Sequence, residues 1–232
     1  ELIGALKSEL KIPVHLHTHD STGNGVATVL MAAEAGVDIV DLAIESMSTL
    51  TSQPSMNSVV AALQGTERDT GLDLDELSEL GRYYGRVRKV YKQFESGIRP
   101  IYSDFESELK AGTAEIYKYE IPGGQYSNLL AQVESMGMKN QFEEIKELYR
   151  QANDLLGNVT KVTPTSKVVG DMAIFMLKNG LNKDNIFELG QDLSFPASVV
   201  DYFKGMIGQP EGGFNPELQK MILKGEKPIT VR

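Results

Sequence analysis

All three histidines of the 232-residue chain fall in one short stretch, VHLHTHD, at His15, His17 and His19. Side chains of an extended strand alternate faces, so residues two apart share a face at a spacing of about 6.5–7 Å. Two neutral imidazoles on one face can hold a divalent metal between them, and they need no further folding to be paired. The plain alternative is an ordinary polar strand face, or a core histidine held by a hydrogen bond. Position favours chemistry, because the histidines run to the end of the strand and into the turn DSTGNG, and in parallel α/β folds reacting groups gather at the carboxyl ends of strands. Two ligands still fall short of the three or four that a catalytic metal site uses.

Two further segments carry polar groups in exposed-looking settings. PGGQY, residues 122–126, reads as a turn in which Gly124 is free to take positive φ; it is either simply a turn or one on which Gln125 can present its amide to a ligand. KVTPTSK, residues 161–167, sets Thr163, Thr165, Ser166 and Lys167 just before a strong helix. Thr165 or Ser166 can serve there as a helix N-cap. The same residues, with Lys167, can instead attract an anion or a polar head group to the helix start.

The elements that must position these groups divide the chain in two. Residues 1–65 read α-β-α-β-α, with a first helix presenting Leu2, Ile3, Leu6 and Leu10, strands over VHLHTH and VDIVDLAI, and helices stopped by Gly36 and Gly65. VDIVDLAI is nearly all apolar, as a parallel strand buried on both faces would be. Such an order argues for right-handed βαβ units. Residues 66–232 read as helices, nearly all stopped by glycine, interrupted by a long connection through residues 96–128 that carries short strands around Glu115–Tyr119. A connection of that length is uncommon unless it is functional or an assembly surface.

Composition limits the setting. Hydrophobic residues at 41% and charged residues at 24% are the balance of a folded globular chain. The formal charge of −9, with no long Lys/Arg cluster, supplies no footprint for nucleic acid. No apolar run approaches the roughly 20 residues that span a bilayer. Cysteine is absent, so disulfides and thiolate ligands are excluded, and a reducing cytoplasmic home is expected.

Taken in order, HLHTHD with its small-residue turn, VDIVDLAIESMSTLTSQPSM, EIPGGQYSNL, KVTPTSK with VVGDMAIFM, and SFPASVVDYFKGMIGQPEGGF resemble the carboxyltransferase domain of biotin-dependent pyruvate carboxylases over essentially the whole chain. The resemblance implies an α/β fold, the C-terminal part of a TIM (β/α)8 barrel (its last two βα units, residues 1–65), followed by an all-helical funnel domain over residues 66–232. It implies transfer of a carboxyl group from carboxybiotin to pyruvate, giving oxaloacetate through a metal-stabilised pyruvate enolate. By position in the family motifs, His17 and His19 are metal ligands (zinc or manganese), with His15 structural. Thr163 relays the proton between pyruvate and biotin, Ser166 and Lys167 contact biotin, and Gln125 lines the pyruvate side. The biotin arrives on a separate carrier domain charged by a biotin carboxylase domain, and the assembly is a homo-oligomer.

A complete barrel needs eight βα units. The remaining metal ligands (an aspartate and a carbamylated lysine) and an arginine near pyruvate would come from strands outside these residues. The chain therefore reads as a fragment with no carboxyltransferase activity alone. FESGIRP, and DSTG where DTSG is commoner, depart from the family pattern. TSQPSM leans toward pyruvate carboxylase over the related oxaloacetate decarboxylase α subunits and transcarboxylases. Two other readings are a zinc hydrolase, which lacks an evident acidic base, and a helical module whose role is assembly.

Overall fold

The computed structural model describes residues 1–95 and 112–229. Most of the long connection noted above, with its reading as a functional or assembly segment, lies outside the described residues. The chain divides into two compact units, residues 1–116 and 117–232.

In the first unit, helix α1 (Leu2–Glu9) precedes strand β1 (His15–Leu16), helix α2 (Gly25–Glu34), strand β2 (Ile39–Val40), helix α3 (Met56–Leu63) and helix α4 (Leu74–Tyr91). β1 and β2 are parallel, with His15 opposite Ile39 and Leu16 opposite Val40, and α2 makes the crossover between them. Asp38 ties the entry to both strands, because one carboxylate oxygen accepts from Lys7 Nζ and from the Val14 amide, each at 2.7 Å. α2 stops at Gly36, whose φ of +89° only glycine adopts cheaply. α3 is capped by Ser55 Oγ and α4 by Asp73, whose carboxylate accepts from the Asp75 and Glu76 amides.

Three expectations are corrected here. The strands expected over VHLHTH and VDIVDLAI shrink to two residues each. After Leu16 the chain leaves the β2 ladder, and the Asp20 amide bonds instead to Ser52 O at 2.9 Å. Ile39 is 48% exposed rather than buried on both faces, since among the described residues β2 pairs with β1 alone. α1 buries none of its apolar residues. The core of this unit is instead Val14, Val29, Ala32, Val59, Val60 and Leu77.

Helix α5 (Glu115–Tyr119) spans the division, and the rest of the second unit is helical: α6 (Gly123–Ser135), α7 (Phe142–Leu155), α8 (Thr165–Lys178), α9 (Ile186–Leu189), α10 (Ala197–Phe203) and α11 (Pro216–Leu223). α5 stands where short strands were expected. Thr113 Oγ1 accepts from the Glu115 amide at 3.2 Å, a local cap that favours helix over an extended segment. α7 and α8 pack along one another, and α6 and α10 close on α8. Their meeting faces bury Leu129, Phe142, Ile145, Tyr149, Val169, Met172 and Met176.

Tyr202 anchors α10. Its ring packs edge-on against Phe203 and Phe214, and its buried hydroxyl donates to Leu156 O at 2.6 Å. Tyr202→Phe leaves that carbonyl without its partner, so thermal unfolding should show a loss of about 1–2 kcal/mol. Burial pushes the Tyr202 and Tyr149 phenols above their ordinary pKa. The unfolded chain ionises these phenols near pH 10 and the folded chain does not. Their contribution is therefore complete at neutral pH and fades as pH rises beyond about 10, which alkaline unfolding curves of the two Phe variants would reveal as a reduced slope.

Candidate functional site

The parallel register of β1 and β2 continues one step past the strands and sets Asp41 beside the histidines. The Asp41 amide donates to Leu16 O at 3.0 Å. Its carboxylate then receives two imidazoles, with His15 Nε2 2.6 Å from Oδ1 and His17 Nδ1 2.7 Å from Oδ2. These two hydrogen bonds, the one from His15 first, hold the Asp41 carboxyl below the usual carboxylate pKa. His19 lies in the loop beyond β1, and its Nδ1 donates to Thr51 O at 2.5 Å.

The consequence is a defined tautomer on both His17 and His19. An ionised carboxylate and a carbonyl only accept, so each ring carries its proton on Nδ1 and leaves the Nε2 lone pair free. Neither Nε2 has a partner among the described residues. The rings stand edge to face with centroids 5.3 Å apart. A histidine whose Nδ1–H is fixed by a carboxylate or a backbone carbonyl is the standard form of a metal-ligating imidazole. His15 differs, because its Nε2 is already committed to Asp41. The donor set of the His17–His19 pair thus fits a divalent cation, while among the described residues no cluster of three or more His, Cys, Asp or Glu is placed to complete a shell.

Asp41 was not singled out in the sequence. The signal was there, since the acid at the end of VDIVD falls in parallel register with His17, but it becomes visible only once β1 and β2 are aligned.

In the second unit, Gln125, Thr163, Ser166 and Lys167 line a single cavity of about 470 Å³ together with Asn128, Ala131, Gln132 and Ser135. That volume lies within the roughly 300–1,000 Å³ of small-molecule sites. α6 supplies one wall. PGGQY, expected as a turn with Gly124 free to take positive φ, is instead the first turn of α6 with Pro122 at its N-cap position, where the fixed φ of proline suits a helix start. With the helix beginning there, Gln125, Asn128, Gln132 and Ser135 fall at i, i+3, i+7 and i+10 on one face. Reading the segment as a turn hid that stripe.

The other wall is the start of α8. Pro164 occupies its N-cap position, and Thr165 does not cap the helix as expected. Its hydroxyl turns back and donates to Val162 O at 2.7 Å. Ser166 is buried. Thr163 is exposed, and its hydroxyl has no partner among the described residues. Lys167 Nζ pairs with Asp171 Oδ2 at 2.5 Å, and the same oxygen accepts from Ser198 Oγ of α10 at 2.5 Å. The cavity therefore presents a free hydroxyl, a buried serine, a side-chain amide and a lysine whose charge is already matched.

Comparison with known proteins follows these two units. The family model described as "Conserved carboxylase domain" matches residues 116–232, and one described as "HMGL-like" matches residues 1–83. Over all 232 residues the chain is 50% identical to the pyruvate carboxylase of Bacillus subtilis, covering 100% of this chain and 19% of that protein. The solved carboxyl transferase domain of Rhizobium etli pyruvate carboxylase matches with a TM-score of 0.90 at 43% identity, covering 100% of this chain and 37% of that one. The same domain solved with pyruvate and biocytin matches with the same figures. The chain thus spans about a fifth of the length of the curated relatives that it matches.

Proposed function

Because the chain belongs to the conserved carboxylase domain family, we propose that it carries part of the site that moves a carboxyl group from carboxybiotin to pyruvate, forming oxaloacetate. The observation that supports this reading is the shared cavity. Gln125, Thr163, Ser166 and Lys167 come from two separate sequence motifs, and they line one space of small-molecule size. The architecture we assign to it is the last two βα units of a TIM barrel over residues 1–65, followed by a helical funnel domain over residues 66–232. TSQPSM leans the acceptor toward pyruvate over that of an oxaloacetate decarboxylase α subunit or a transcarboxylase.

In this reading His17 and His19 hold a divalent cation, zinc or manganese, through their free Nε2 atoms. Such an ion, when bound, polarises a carbonyl oxygen and makes loss of the adjacent methyl proton easier. Gln125 orients pyruvate from the α6 wall, and Ser166 and Lys167 hold the ureido ring of biotin. Carboxybiotin breaks its N–CO₂ bond as the methyl carbon of the pyruvate enolate forms the new C–C bond. Thr163 carries the proton from that methyl group to the ureido nitrogen. A free threonine hydroxyl is too weak an acid or base to store a proton. It accepts one proton while donating another, and its uncommitted hydrogen-bonding capacity suits that task. The partners of this chemistry are a biotin carrier domain and a biotin carboxylase domain, in a cytoplasmic homo-oligomer.

Asp41 orients His17, and Asp41→Asn should weaken divalent metal binding by about 10–100-fold, read by metal titration. The reading as a whole is tested by oxaloacetate formation. A pyruvate carboxylase chimera carrying these 232 residues in place of its own matching segment should turn over. The 232-residue chain alone should not, because two imidazoles make half a shell. Full turnover by that chain, or a dead but folded chimera, would overturn the proposal.

A further inference from the structure

The Gln125 amide faces the cavity without a hydrogen-bond partner among the described residues. A side-chain amide has three rotatable bonds, so something other than hydrogen bonding must fix where it points. What lies against it is Gly170, buried in the middle of α8. A methyl group on Gly170 would come within 2.5 Å of Gln125 Nε2 and 3.5 Å of its Cδ, and the next nearest atom, Leu129 Cδ1, stands at 3.9 Å. The space beside Gly170 is therefore filled by the Gln125 amide and by nothing else that would resist a methyl group.

Glycine inside a helix costs stability relative to alanine, and no turn or positive φ asks for it at this position, since α8 continues for two more turns. The backbone has no need of glycine here. The neighbouring amide does.

We propose that Gly170 is a positioning residue for Gln125: its missing side chain leaves the slot in which the amide nitrogen lies against α8 at the cavity wall. This rests on the reading that the cavity receives the ureido ring of biotin beside an oxo-acid. Alanine at this position fills the slot and swings the amide away from the ligand while the helix gains in propensity. The signature is thus an opposition, weaker ligand binding with unchanged or higher thermal stability. A residue that merely packed the core would lose both together.

The test uses the 232-residue chain labelled with ¹⁵N at glutamine. In the unsubstituted chain the Gln125 side-chain NH₂ should show a nuclear Overhauser contact to the Gly170 Hα protons. In Gly170→Ala that contact should vanish and the NH₂ resonances should shift, with a thermal midpoint no lower than before. Gln125→Asn, whose shorter amide withdraws from the slot, should reproduce the loss should the alanine variant not fold. Pyruvate, titrated into each, should bind about tenfold more weakly to Gly170→Ala, the scale of one lost hydrogen bond. In a Gln125→Ala background, the further change Gly170→Ala should have no effect on binding. An amide that stays in place in Gly170→Ala, or a binding defect that persists without Gln125, would overturn the proposal. If pyruvate fails to bind the unsubstituted chain while the amide still moves as described, the positioning role stands and the assignment of this side of the cavity to pyruvate is what fails.

Discussion

Thr163→Ala, placed in the chimeric pyruvate carboxylase, is expected to lower carboxyl transfer to pyruvate by about 10²–10⁴-fold, the usual worth of a positioned proton-transfer group. The loss should fall on kcat with little change in KM for pyruvate, because a relay hydroxyl matters in the transition state and contributes little to ground-state binding. Thr163→Ser should retain most of the rate, since it keeps the hydroxyl and loses only a methyl group. The fold should not suffer, as Thr163 is exposed and makes no hydrogen bond to described residues. A loss below tenfold, measured by oxaloacetate formation, would mean that the proton travels through another group. An equal loss in the serine variant would point to shape rather than to proton transfer.

The second large effect concerns the imidazoles. In the same chimera, elemental analysis should find near-stoichiometric zinc or manganese, and the double substitution His17→Ala, His19→Ala should remove it. The change in affinity should exceed the about 10–100-fold that loss of an outer partner such as Asp41 costs, because two direct ligands go at once. His15→Ala should keep the metal, since its Nε2 is spent on Asp41. Metal content that survives the double substitution would remove these residues from the coordination shell and leave the Nδ1 hydrogen bonds as structural ties alone.

How far these sites could be read from the sequence depends on how local the forces are. Gly36 ending α2 and the helix over residues 142–155 follow from contacts within a few residues, and both stand in the structure. Gln125, Thr163, Ser166 and Lys167 could be named from motif order, but their convergence on one cavity depends on α6 meeting α8, a long-range contact that no local pattern encodes. The strands were overread for the same reason. VHLHTH and VDIVDLAI have the composition of buried strands, yet strand length is set by which neighbours supply hydrogen bonds, and Ser52 takes the Asp20 amide away from the ladder. At PGGQY a proline-glycine pair fits a turn and a helix start equally well, and packing against α8 selects the helix. Asp41 is the clearest loss, for its role exists only in the register between two strands.

Lys167 is paired with Asp171, and Asp171 in turn is shared with Ser198. Seen from a distance, the ammonium and the carboxylate form a dipole with no net charge, embedded in a chain of formal charge −9. Such a mouth does not draw in an anionic carboxylated ring from solution by long-range attraction, and its field is further cut within about a Debye length of 8–10 Å. Under the proposed function, capture then falls to the tether that would deliver the ring, and to short-range fit once it has arrived. Raising ionic strength should therefore leave carboxyl transfer at this cavity nearly unchanged, a tolerance that a bare lysine in the same place would not have.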